Sequence, residues 1–323
     1  MKGAALGKFS VSYRTEPVET LLDRPGTLAV LSFGQASPQA ADPRHLGILQ
    51  TPLTPPAPRE LWSVDAEVSH GADGALRWSR GGGWQFIAVE VDEGASGGVE
   101  AACGVAYDRL LAHVAASPER HLLRIWNYLG AINAGDGDDE RYRRFCNARA
   151  RSMAAQGIVR YPAATAIGHR GIPGRLQVYA LSAARDGDVL ENPRQVSAWQ
   201  YPRQYGPTPP NFARAMQLPE GGLAISGTAA VIGHASCHTG NITAQVEEAV
   251  ANLHTLLESA ALPAFDAASP LKVYVRNPED AEAINTVLDR HLDPAVPRLL
   301  LQGDICRREL LVEIDGWRFG NHA

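Results

Sequence analysis

Between Gly222 and Trp317 the chain carries hydrophobic patterns in a fixed order, strand, helix, strand, helix, strand, strand, and few folds accommodate that order. The apolar run from Leu223 to Gly233 is interrupted by small residues, which suits a buried strand or hairpin with close backbone approach. Gln245, Val246, Val250, Leu253, Leu256 and Leu257 then recur at three- and four-residue spacing as one helical face, with Thr243 a plausible N-cap. Leu271 to Arg276 alternates as a half-buried strand, and Asn277-Pro278-Glu279-Asp280 starts a second helix that runs to about His291. Pro294 and Pro297 stop it, and Arg298 to Gln302 and Glu309 to Trp317 read as two further strands. One sheet covered on one face by two helices follows, because each element has a single apolar side to bury.

A weaker copy of the order lies upstream. Trp84 to Val91 reads as a strand, Ala106 to Ala115 as a helix, His121 to Tyr128 as a strand, and Asp138 to Ala155 as a helix carrying Tyr142, Phe145 and Met153. With only two copies this is a degenerate internal repeat rather than a solenoid. At 323 residues the chain has the length of two domains. The expectation is an α/β (α+β) protein of two similar domains, 1–157 and 158–323, each a mixed sheet with helices on one face.

The charge balance narrows the function. Against 30 Lys and Arg stand 35 Asp and Glu, a formal charge of −5. No broad positive field meets nucleic acid or an anionic membrane, so any anionic ligand is met by local arginines. The longest apolar runs are far short of a bilayer span, and the stretch Met1 to Lys8 has no apolar signal core, which reads as a cytoplasmic protein. Cys103, Cys146, Cys237 and Cys306 form no C-x-x-C pair, which argues for free thiols. The cluster His234-Ala235-Ser236-Cys237-His238 matches no common zinc spacing, and neither a Gly-x-Ser-x-Gly elbow nor a phosphate-binding Gly-x-x-x-x-Gly-Lys loop occurs.

Arginine and tyrosine concentrate instead between Arg160 and Arg214, in segments that Pro and Gly keep out of regular helix. Arg160, Arg194, Arg203 and Arg214 sit in or near this wall, and a guanidinium fork binds a carboxylate through two parallel hydrogen bonds. In a strand starting at Glu309, Glu309, Leu311, Glu313 and Asp315 face one way and Leu310, Val312 and Ile314 the other. If that face is solvent, Glu313 is an ordinary exposed acid. If it lines a cleft between domains, desolvation raises its pKa and makes it a usable general acid.

The helix from Gln245 to Asn252 and the closing Val312-Glu313-Ile314-Asp315 resemble the small RidA/YjgF-type fold. Around them, Arg160-Tyr161-Pro162-Ala163, Glu191-Asn192-Pro193-Arg194-Gln195-Val196-Ser197-Ala198, Tyr201-Pro202-Arg203-Gln204-Tyr205-Gly206-Pro207, Ile225-Ser226-Gly227-Thr228-Ala229 and Gly303-Asp304-Ile305-Cys306-Arg307-Arg308 together resemble the chorismatase family over residues 158–323. The resemblance implies two RidA-like domains with the active site in the second, chorismate as the small-molecule substrate, and no metal or organic cofactor. It implies Glu313 as the general acid, Arg160 and Arg203 on the substrate carboxylates, and Tyr201, Tyr205, Thr228 and Ala229 around the ring. Cys306, seven residues before Glu313, resembles the benzoate-forming subtypes. Ala229 stands where the strict 3-hydroxybenzoate formers carry glycine, and the mixture points to a subtype releasing both 3- and 4-hydroxybenzoate, of the kind that feeds pigment, quinone or polyketide synthesis. The rival readings are release of a dihydroxy-cyclohexadiene carboxylate, a RidA-like enamine or imine deaminase, and a non-catalytic small-molecule binding protein. Fusion of two such units favours a monomer.

Overall fold

The computed structural model describes residues 6–36, 42–170 and 174–320; the first five residues, part of the N-terminal stretch read above, lie outside them. The C-terminal elements form one six-stranded sheet in the order Asp188–Leu190, Ala215–Gln217, Leu223–Thr228, Val312–Arg318, Leu271–Val275, Arg298–Gln302. Neighbours are antiparallel except the last pair, which is parallel. Helices Ile242–Ser259 and Ala281–His291 cover one face, where Val246, Leu253, Ile284 and Leu288 pack on Ile225, Val273, Val312 and Ile314. The longer helix is capped by Asn241, not Thr243: Asn241 holds extended dihedrals and its side-chain oxygen accepts the Ala244 N–H at 3.1 Å.

The upstream half is a seven-stranded sheet in the order Asp304–Ile305, Ala163–His169, His121–Gly130, Arg175–Ala183, Trp84–Asp92, Leu76–Gly81, Ser69–Asp73. Helices Val99–Ala116 and Arg141–Ala155 pack on its outer face. Each half is thus a mixed sheet with two helices on one side, as the sequence implies. The expected division at 157/158 does not fall between the sheets. His121–Gly130 pairs in parallel with Ala163–His169 and antiparallel with Arg175–Ala183, so the chain leaves this sheet only after Ala183. A parallel pair needs a crossover, and Arg141–Ala155 is that crossover rather than the end of a unit.

The sequence patterns give no element upstream of Trp84, yet Phe9–Arg14, Arg59–Val64, Thr27–Phe33 and His45–Ile48 form a four-stranded sheet there. The faces of the sheets opposite the helices meet in a shared inner layer that holds Phe9, Trp62, Trp84, Phe86, Trp126, Tyr179 and Trp317. Trp126 and Tyr179 stack with centroids 4.8 Å apart. Four charged side chains, Glu60, Arg124, Lys272 and Asp315, are also buried in this layer. Near its C-terminus the chain crosses back. Gly303 follows the strand Arg298–Gln302, and Asp304–Ile305 then pairs with Ala163–His169 of the other sheet. A side chain at 303 would run into Ile167.

Candidate active site

The strand Val312–Arg318 turns Val312 and Ile314 to the helices and Glu313 and Asp315 to the inner layer, so the cleft alternative holds for Glu313. The strand does not begin at Glu309. Leu310 packs in the inner core, and Glu309 lies on the preceding loop, where its carboxylate accepts the Ser236 hydroxyl at 2.7 Å. The expected two-residue alternation therefore fails before Val312.

Opposite Glu313 the neighbouring strand bulges. Ile225 pairs with Gly316 and Thr228 with Ile314, which leaves one extra residue in the Leu223–Thr228 strand. The bulge puts Gly227 under the Glu313 carboxyl, and a Cβ built there would fall well inside contact distance of Oε1. It also aims the Ser226 hydroxyl across to the other sheet, accepting from Ala164 N at 2.8 Å and donating to Ala213 O at 2.5 Å. The two sheets are thus tied beside Glu313.

Glu313 is 5 % exposed and makes no side-chain hydrogen bond to the described residues. Burial, with Asp315 adding to it, pushes its carboxyl up to about 8, against the opposing pull of Arg124, Arg214 and Arg276. At neutral pH it is a carboxylic acid, and it opens into a cavity of about 540 Å³. The walls come from both halves of the chain, including Arg149 and Thr165 upstream and Tyr201, Arg214 and Cys306 downstream. The cavity therefore lies between the sheets, drawing on the upstream half as well as on the second unit, where the resemblance puts the active site.

The cavity's cations are Arg149, Arg214 and Arg307 from its interior, and Arg143 and Arg308 near Asp136 and Glu140. Arg143 and Arg308 are ion-paired to those acidic segments. None of the first three forms an ion pair with the described residues. Arg214 donates to Val196 O at 2.8 Å and Tyr201 Oη at 2.6 Å, while its buried Nε has no partner. Arg307 lies 3.9 Å above the Tyr205 ring and is held by His234 O and Ser236 Oγ. Tyr205 in turn meets His234 Nδ1 at 3.2 Å.

Cys306 and Arg307 sit on a loop clamped from below by one side chain. The Arg276 guanidinium donates to the carboxylate of Asp304 and the carbonyls of Ile305, Arg307 and Leu310, all within 3.0 Å. Burial, and next the negative charge of Glu313, push the Cys306 thiol up to about 12, so the sulfur stays an S–H. It is a neutral wall and weak donor rather than a nucleophile.

Of the residues expected at the site, the structure brings Glu313, Cys306, Tyr201, Tyr205 and Ala229 to the cavity. Arg160, Arg203 and Thr228 do not line it. Arg160 is exposed and bonds Asp186 at 2.8 Å; Arg203 forks onto both oxygens of Asp138 at 2.9 and 2.5 Å; Thr228 turns its hydroxyl back to Ser226 O. Arg194 is likewise taken, by Glu248 and Asn252. Each of these three guanidinium groups has a carboxylate of its own, leaving Arg214 as the one wall arginine of the four that faces the cavity. Sequence reasoning missed Arg307, Arg149, Thr165 and the role of Gly227. Arg307 carried a usable signal in its adjacency to Cys306.

Comparison with known proteins identifies the family. Residues 60–182 match the family model described as chorismatase FkbO/Hyg5-like, N-terminal. A 3-hydroxybenzoate synthase of Streptomyces hygroscopicus is 34% identical over 276 residues, 80% of each chain, and a chorismatase of the same organism is 37% identical over 273 residues, 80% of this chain and 78% of the relative. A chorismatase crystal structure superposes with a TM-score of 0.88 at 30% identity, covering 98% of this chain and 100% of the other.

Proposed function

The chain belongs to the chorismatase family, and from that premise we propose that it cleaves the enolpyruvyl ether of chorismate, releasing pyruvate, with Glu313 as general acid. The observation that carries the reading is a carboxyl kept neutral near pH 7 inside a cavity whose inner arginines lack carboxylate partners. An enol ether breaks when its terminal methylene takes a proton. The new C–H bond leaves positive charge on the adjacent, ether-bearing carbon, and oxygen addition there followed by C–O cleavage gives pyruvate. Glu313 supplies the proton. Arg214 and Arg307 hold the two substrate carboxylates, taking over the part expected of Arg160 and Arg203, and Tyr201 and Tyr205 fix those guanidinium groups.

Loss of pyruvate leaves a ring that either keeps an added water as a diol or aromatises to hydroxybenzoate with no net water. We assign this chain to hydroxybenzoate release, with both 3- and 4-isomers, on the resemblance carried by Cys306 and Ala229, both of which line the cavity with Glu313. The reading includes a monomeric cytoplasmic enzyme that needs neither metal nor organic cofactor. Incubating purified protein with chorismate in the presence of a chelator, assaying pyruvate and resolving the ring products by chromatography tests it. Pyruvate with hydroxybenzoates supports the whole reading, and pyruvate with only the diol keeps the cleavage but removes the product assignment. Absence of pyruvate refutes it and returns the deaminase and binding-protein readings.

A further inference from the structure

We propose that Asp315, which does not line the cavity, is the positioning residue that makes Glu313 an acid; this rests on the general-acid reading of Glu313. The two carboxyls share one face of one strand, two residues and roughly 7 Å apart by strand rise. Their surroundings are opposite. Asp315 Oδ2 accepts from Arg124 Nη2 at 3.2 Å, Trp126 Nε1 at 2.9 Å, Thr165 Oγ1 at 2.8 Å and Tyr274 Oη at 3.1 Å. Lys272 Nζ stands 3.7 Å from Oδ1. This set of donors, drawn from three strands besides its own, suits an anion that cannot turn away. Glu313 has no donor at all among the described residues.

The charges of the inner layer reinforce the contrast. Its cations, Arg124 and Lys272, are balanced by Asp315 and by Glu60, which meets Lys272 at 2.9 Å. An ionised Glu313 would add an unmatched negative charge next to Asp315. The other groups that act on Glu313 are Arg124 from the inner layer, Arg214 from the wall, Arg276 beneath the loop and the neutral Cys306 thiol, with Arg149, Arg307 and Glu309 farther round the cavity. The cavity arginines are the ones a bound dianion would neutralise, which leaves Asp315, ahead of the opposing Arg124 and Arg276, as the largest remaining charge acting on Glu313 when the proton is needed. Thr165 links the two environments, because it lines the cavity while its hydroxyl bridges Arg124 at 2.5 Å and Asp315.

The test is the pH profile of kcat/KM for pyruvate release, paired with an infrared titration of carboxyl-labelled glutamate in which Glu313→Gln identifies the Glu313 band. In Asp315→Asn both the alkaline limb and the band should move down by about one to two pH units, the Coulomb effect of a carboxylate ~7 Å away at an effective dielectric near 20. Lys272→Met removes a cation 3.7 Å from Asp315 and should move both up, a reversal that loss of structure alone does not produce and that keeps the proposal testable if Asp315→Asn fails to fold. A band that stays in place in the folded variants overturns the Asp315 role. Normal turnover in Glu313→Gln would instead overturn the general-acid reading, and the infrared titration remains informative in that case because it does not depend on catalysis.

Discussion

Replacing Glu313 with glutamine should stabilise the protein as it removes activity, and the gain should grow with pH. In the folded chain the Glu313 carboxyl keeps its proton up to about 8, whereas an exposed glutamate loses it near 4.5. Between these values unfolding releases a proton. The stabilising contribution is therefore complete below 4.5, falls by ~1.4 kcal/mol for each pH unit above it, and is gone above about 8. Glutamine has nearly the same shape and does not titrate, so the variant lacks this slope. From pH 5 to pH 8 the variant's stability relative to wild type should rise by an upper limit of about 4 kcal/mol. The site is almost fully buried, so solvent screening takes little from this figure. Urea or thermal unfolding of both proteins at pH 5, 6.5 and 8 measures it. Stability curves that run parallel from pH 5 to 8 would refute the claim that Glu313 is folded in its neutral form.

Other substitutions separate the parts of the site. Gly227→Ala should lower kcat on the order of 100-fold, because the added Cβ displaces the Glu313 carboxyl and misplacement near 1 Å has that effect; steady-state turnover checks it. Arg214→Ala should lower kcat/KM by about 10- to 100-fold, the range for losing hydrogen bonds to a charged group, while Arg203→Ala, whose partner is the exposed Asp138, should stay within about twofold. Comparable losses in the two variants would return Arg203 to the site. Cys306→Ala should shift ring products toward the diol, and unchanged product ratios by chromatography would remove its role.

The fold was most legible where one face is apolar and the other is not. The helical face from Val246 to Leu257 and the parity of Glu313 against Val312 and Ile314 follow from periodicity, and the structure keeps them; Leu271–Val275 is a strand as expected but is buried at every position rather than half-buried. The first sheet was illegible for the converse reason. Thr27–Phe33 is buried at every position, so its side chains do not alternate and the pattern does not announce a strand. The extent of the upstream sheet was hidden by its crossover helix, since pairing between His121–Gly130 and Ala163–His169 is a tertiary fact.

The site divides along the same line. Glu313 was singled out by strand parity and carboxyl chemistry together, and Cys306 by the family resemblance of the loop that carries it. The arginines were not, because a guanidinium is available only if no carboxylate has claimed it, and the claimants lie far along the chain: Asp138 is 65 positions from Arg203 and Asp186 is 26 from Arg160. Arg214 and Arg307 escape such partners because tyrosine rings and carbonyls, not carboxylates, hold them. Their availability belongs to the folded contact map and has no local signature.

The most direct test of the central claim is to titrate chorismate into wild type and Glu313→Gln by calorimetry and to follow pyruvate release from the same samples at pH 7. The account predicts that both proteins bind chorismate and that only wild type releases pyruvate at an appreciable rate. Pyruvate release by Glu313→Gln at the wild-type rate would contradict it.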